Sequence, residues 1–133
     1  MRLLRPLARR DARRAALRLR YRRYMASPHW RQRREQWLAD HQTHHHNPPA
    51  CVICDQPWTL DDDLHHATYA TLGRERHHDL VPMCRPCHEH LHQILDHSKH
   101  WRTINRATAT RQLVEILRQK RDRLSNEEGQ STP

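Results

Sequence analysis

The sequence predicts an α+β chain: two short strands and one helix at its centre, flanked by N- and C-terminal helices and pinned by paired cysteines. Three observations lead there. Cys51 and Cys54 form one C-x-x-C, and Cys84 and Cys87 form a second. Between the pairs lie only short runs suited to strands. On either side, apolar residues recur at three- and four-residue steps, the spacing of helices.

The totals set the frame. A chain of 133 residues holds one domain with arms. With 35% hydrophobic residues and no Phe, its core is thin, and thin cores are commonly stapled by metal or disulfides. Neither a secretory signal nor a membrane-spanning run is read in it, so a cytoplasmic, reducing address is expected and no membrane partner. There, metal binding is favoured over disulfides.

Charge is placed unevenly. The net charge is +9, yet residues 1–34 carry 13 Arg against a single acid, Asp11. Only Lys99 and Lys120 are lysines. Arginine's planar fork donates two hydrogen bonds to one phosphate. A basic block on such a chain points to nucleic acid or an anionic surface. Arg9, Arg10, Arg13, Arg14, Arg18 and Arg20 are the residues expected to meet it.

The elements follow in order. Residues 7–25 read as an Arg-rich helix with Ala8, Ala12, Ala15, Ala16 and Leu19 as its small or apolar positions. In "SPHWRQRREQWLADH", Ser27 can cap a second helix and Pro28 suits its first position. Trp30, Trp37 and Leu38 share one face of it. The tract His44, His45, His46 ends that helix and is expected to be solvated. Strands are expected around Leu64–Thr68 and Asp79–Met83, with Gly73 in the loop between them. A helix follows from about Pro86. The last helix spans about Ala107–Leu124, with Leu113, Ile116, Leu117 and Leu124 as its stripe. In domain terms, residues 1–26 form an arm, 27–100 the central domain with its lead-in helix, 101–125 a C-terminal helix that offers a surface for a protein partner, and 126–133 a disordered tail. Oligomeric state is not readable.

Two C-x-x-C turns that meet complete a tetrahedral zinc site with four thiolates, here Cys51, Cys54, Cys84 and Cys87. A redox C-x-x-C would call for one pair in a βαβ context, and two disulfides for an oxidising address. Four thiolates leave no open position, so this Zn²⁺ would be structural. The histidines read differently. His88 and His92 lie one turn apart on one helix face, as two ligands of one metal would. His65 can complete a three-histidine site that leaves positions for water and substrate. His66, free of the metal, could take a proton from water, with Asp79 holding its imidazole. One tension follows from strand geometry, because His65 and His66 point to opposite faces unless the strand ends there. His77, His78, His90, His97 and His100 read as surface groups. Tyr69 and Glu75 read equally as supports of the site or as loop packing.

The run "CVIC … LHHATY … LGRE … DLVPMCRPCHEHLH" resembles the HNH endonuclease superfamily, with its ββα-metal nuclease core, and within it the branch with an added four-cysteine zinc. "YRRYMASPHWRQRREQWL" is similar to the lead-in helix of small bacterial and phage HNH proteins. The resemblance spans about residues 21–92. It implies His65, His88 and His92 as ligands of one divalent catalytic metal (Mg²⁺, Mn²⁺, Ni²⁺ or Zn²⁺) and His66 as general base. Asp79 stands where the name-giving Asn often sits. The implied activity is hydrolysis of double-stranded DNA to 5′-phosphate and 3′-hydroxyl ends. The alternatives are a zinc-stapled nucleic-acid-binding module that does not cut, and an HNH-type toxin acting on RNA.

Overall fold

A computed structural model describes residues 6–130. Its elements are α1 (Pro6–Met25), α2 (Pro28–His44), β1 (Asp63–His66), β2 (Leu80–Met83), α3 (Arg85–His97), α4 (Lys99–Arg102) and α5 (Arg106–Gln130), with a 3-10 turn at His77–Asp79 before β2. The α+β class holds. Residues 1–5 of the basic arm lie outside the described residues.

The strands form one antiparallel pair, His65 opposite Val81 and His66 opposite Leu80. Each face of this ribbon serves a different layer. Leu64 and Leu80 join Trp30, Trp37 and Trp58 in an aromatic cluster under α2. Met83 and Val81 join the second cluster, built from Cys51, Ile53, Leu91, Leu95, Ala109, Leu113 and Leu117 under α3 and α5. Burying each of those leucines stabilises the fold by about 1.5–3 kcal/mol.

Local signals set α2. The Ser27 hydroxyl accepts the Trp30 N–H at 3.2 Å, and Pro28 opens the helix. Trp30 and Trp37, seven residues apart, are both buried. In α1 the expected face does not pack. Ala8, Ala12, Ala15, Ala16 and Leu19 are all exposed. Alanine buries too little area to hold a helix to the body. Among the residues of α1 whose side chains are described, only Tyr21, Tyr24 and Met25 in the last turn are half-buried.

Two C-terminal expectations are corrected. The buried face of α5 is Ala109, Thr110, Leu113 and Leu117, while Ile116 and Leu124 are 48% and 52% exposed. Steps of four residues from Ala109 stay over α3, and Ile116 and Leu124 rotate off that line. Of the segment 126–133, expected to be disordered, residues 126–130 are helical, and 131–133 lie outside the described residues. Glu127 and Glu128 are good helix formers, and no proline interrupts the run. The C-terminal helix also starts later than 101, because Asn105 caps it by accepting the Ala107 and Thr108 N–H groups. Among the described residues no helix is long and apolar enough to cross a membrane.

Candidate metal centres

The cysteine turn at 51–54 is shaped by backbone bonds. The Asp55 N–H donates to the Cys51 carbonyl at 2.9 Å, and Asp55 takes a left-handed φ of 60°. Arg118 and Arg121 of α5 hold the Asp55 carboxylate at 2.9 and 3.0 Å. The Val52 N–H donates to the Pro82 carbonyl at 3.0 Å, which docks the turn on β2. Opposite it, Cys84 caps α3 and Cys87 sits in the first turn. All four sulfurs lie within 4.8 Å of one another, and this cluster could hold a metal ion. The Cys54–Cys84 sulfur separation is 3.7 Å. Sulfurs around a tetrahedral zinc at Zn–S about 2.3 Å stand about 3.8 Å apart. Burial raises the Cys51 thiol, but N–H groups of Cys54, Cys84 and Ile53 outweigh it and leave the pKa below the usual thiol value. Burial pushes Cys84 and Cys87 up. A cation among the sulfurs would reverse that push.

The structure also brings His65, His88 and His92 together. His65 Nδ1 lies 3.3 Å from His88 Nε2, which lies 3.0 Å from His92 Nε2. Nitrogens around a tetrahedral metal at about 2.0–2.1 Å stand about 3.3 Å apart. The outer nitrogens have oxygen partners. His88 Nδ1 is 3.0 Å from Asp63 Oδ2, and His65 Nε2 is 3.0 Å from Thr110 Oγ1. His92 Nδ1 is 3.6 Å from Asp96 Oδ2, one helical turn on. A carboxylate only accepts, so the proton of a neutral His88 sits on Nδ1 and its Nε2 lone pair faces inward. Burial, with the nearby Arg106 charge, holds His65 well below the usual imidazole pKa. Burial and His88 lower His92. Both favour the neutral, ligating form. His65 is fully buried, while the His88 and His92 side chains on α3 keep 16% and 30% exposure.

His66 lies elsewhere. The β pairing continues through it, so its side chain takes the face opposite His65. Its ring centroid lies 4.8 Å from that of Trp30 and 5.8 Å from that of Tyr21. Its Nε2 lies 2.8 Å from Glu75 Oε2, and the Tyr24 hydroxyl donates to Glu75 Oε1 at 2.8 Å. Burial raises the Glu75 carboxyl, but the bonds from His66, its own backbone and Tyr24 outweigh this and hold its pKa low. An ionised Glu75 places the His66 proton on Nε2. His66 Nδ1 is buried and without a hydrogen-bond partner.

The expected role of Asp79 is therefore corrected. Asp79 accepts from the Thr71 hydroxyl and the Arg76 N–H, both at 2.9 Å, and from the Arg76 guanidinium. It closes the loop into β2, and Glu75 holds the histidine. An aspartate three residues after Arg76 satisfies the 3-10 turn first, and its short side chain is spent there.

The arginines expected to meet nucleic acid, Arg9, Arg10, Arg13, Arg14, Arg18 and Arg20, are all exposed along α1. Arg106 was not foreseen. Its Nε donates to the His66 carbonyl at 2.8 Å, its guanidinium covers Tyr69 at 4.3 Å, and its Nη2 has no partner. With Arg76, Arg111 and Asn105 it lines an open groove of about 490 Å³ that reaches Thr110 behind His65. Comparison with protein-family models, curated proteins and solved structures returns no match.

Proposed function

We propose that this chain is a metal-dependent endonuclease of HNH type that hydrolyses DNA phosphodiester bonds, with a structural Zn²⁺ on its four cysteines. One observation carries the reading: three imidazole nitrogens converge, on two side chains that are partly exposed and one that is buried, and the other nitrogen of each ring lies within 3.6 Å of an oxygen. A site meant only to hold a fold closes its coordination with protein ligands, and three histidines leave it open. Bound there, a divalent ion supplies Lewis-acid stabilisation of charge developing on the phosphate. Three imidazoles favour Zn²⁺ or Ni²⁺, while Mg²⁺ and Mn²⁺ bind them more weakly.

The chain's own residues supply the rest. Arg106 Nη2 is buried without a hydrogen-bond partner, and a turn of its side chain into the adjoining groove would offer that donor to a non-bridging phosphate oxygen. To act as base, His66 must have its buried Nδ1 uncovered by movement of the aromatic layer around it. It then takes a proton from a water whose oxygen attacks phosphorus, the P–O3′ bond breaks opposite, and the 3′ oxyanion takes its proton from solvent. Glu75 stabilises the imidazolium that forms. His65 and His66 end β1, so the substrate bridges the two faces of the ribbon at that end. The exposed arginines of α1 contribute affinity through phosphates without reading sequence.

A second reading has one observation in its favour. His66 is only 2% exposed and sits in an aromatic layer across the ribbon from the ligands. That placement suits a buried structural pair with Glu75 in a nucleic-acid-binding module that does not cut. Supercoiled plasmid incubated with the purified chain separates the two. Nicking with Mn²⁺ or Mg²⁺ that EDTA abolishes supports the nuclease; retardation without nicking under any divalent metal supports the module.

A further inference from the structure

A third group of histidines stands outside both centres. His41 and His45 lie one turn apart at the C-terminal end of α2, and His77 opens the 3-10 turn before β2. One ligand nitrogen from each lies within 4.8 Å of the other two. The group is tertiary, since His77 is 32 residues from His45 in the sequence. It is also built. The buried Trp37 ring stacks on His77 at 4.9 Å and 1° and on His41 at 5.1 Å and 25°. The Trp37 Nε1–H donates to the His77 carbonyl at 3.1 Å, which fixes the turn against α2. His45 stacks on His41 at 4.3 Å. His77 Nδ1 is buried without any hydrogen-bond partner, and a buried polar nitrogen so left calls for a ligand.

We propose that His41, His45 and His77 form a further divalent transition-metal site that clips the end of α2 to the turn leading into β2. Neutral imidazoles select Zn²⁺, Ni²⁺ or Cu²⁺ over Mg²⁺ or Ca²⁺, which prefer oxygen. An imidazole lone pair lies in the ring plane, so binding one ion requires the His41 and His45 rings to turn out of their near-parallel stack with His77 toward the roughly 3.3 Å spacing of a tetrahedral site. His45 is exposed and His41 half-buried, so both have room to turn. Burial lowers the pKa of His41 and of His77, which keeps both in the ligating form near neutral pH. The clip lies on the α2 side of the ribbon, away from His65, His88 and His92, and does not depend on the nuclease reading.

The test is metal stoichiometry on the full, reduced chain. Equilibrium dialysis against buffered micromolar Zn²⁺, followed by elemental analysis, should give three equivalents for the wild type, one per group. His45→Gln and His77→Gln should each give two, with affinity at the lost site weakened more than tenfold. His45 is exposed, so its substitution keeps the fold even if His77→Gln disturbs the Trp37 stack. Equal uptake by wild type and both variants overturns the proposal. So does a loss of the same equivalent in His44→Gln/His46→Gln while His77→Gln keeps it, because a solvated tract would then be the binder.

Discussion

Changing Glu75 to Gln tests how the proposed base is held. Glu75 accepts two bonds of 2.8 Å, one from His66 Nε2–H and one from the Tyr24 hydroxyl, in a side chain with no exposure. A glutamine can keep both bonds, its oxygen accepting from His66 Nε2–H and its NH₂ donating to the Tyr24 oxygen, so the substitution removes the charge and little else. The loss of charge carries a catalytic cost, because an imidazolium beside a neutral amide is less stable. Plasmid nicking by Glu75→Gln should fall by about 10²-fold or more, within the range general-base catalysis supplies. Tyr24→Phe removes only a neutral donor and should leave nicking within a few-fold. Acid sensitivity adds a check. The folded pKa of Glu75 is depressed, so its contribution is present above the unfolded carboxyl value and lost as pH falls through the folded one. Glu75→Gln should therefore flatten the acid side of the stability profile, read from thermal melts between about pH 6 and 3. Wild-type nicking by Glu75→Gln, with an unchanged acid profile, would refute the pairing.

Cys54→Ser or Cys84→Ser should lose tightly held zinc and give poorly soluble, largely unfolded chain, checked by elemental analysis and circular dichroism. Asp63→Ala should weaken metal binding at the three histidines about 10–100-fold by calorimetry and spare the thiolate zinc. His65 and His92 sit below the usual imidazole pKa, so protons should displace that metal only below about pH 6.5. Deleting residues 1–20 should flatten the slope of log K against log salt on duplex DNA by several units, at roughly 0.9 for each phosphate that the arm neutralises.

The parts legible in the sequence were those whose signal is local. Ser27–Pro28 marks its own helix start, the two C-x-x-C pairs announce a four-sulfur cluster, and His88 and His92 share a face by spacing alone. What the sequence hid depends on tertiary approach. Thr110 reaches His65 across 45 residues and Arg106 reaches His66 across 40, because α5 folds back over the ribbon. Asp63 had a readable clue, since it shares a strand face with His65 two residues on. Choosing between Glu75 and Asp79 for His66 needed the loop's path, which the 3-10 turn decides. His77 read as a surface group because nothing local shows Trp37 lying against it.

The central claim, that the three-histidine centre cuts DNA with His66 as base, is tested most directly by plasmid nicking with His66→Ala and His92→Ala side by side across a Mn²⁺ titration. His92→Ala should lose activity at low Mn²⁺ and regain part of it at excess. His66→Ala should stay about 10²–10⁴-fold slower at every concentration while binding metal and DNA as the wild type does. Unchanged nicking in both variants would contradict the account.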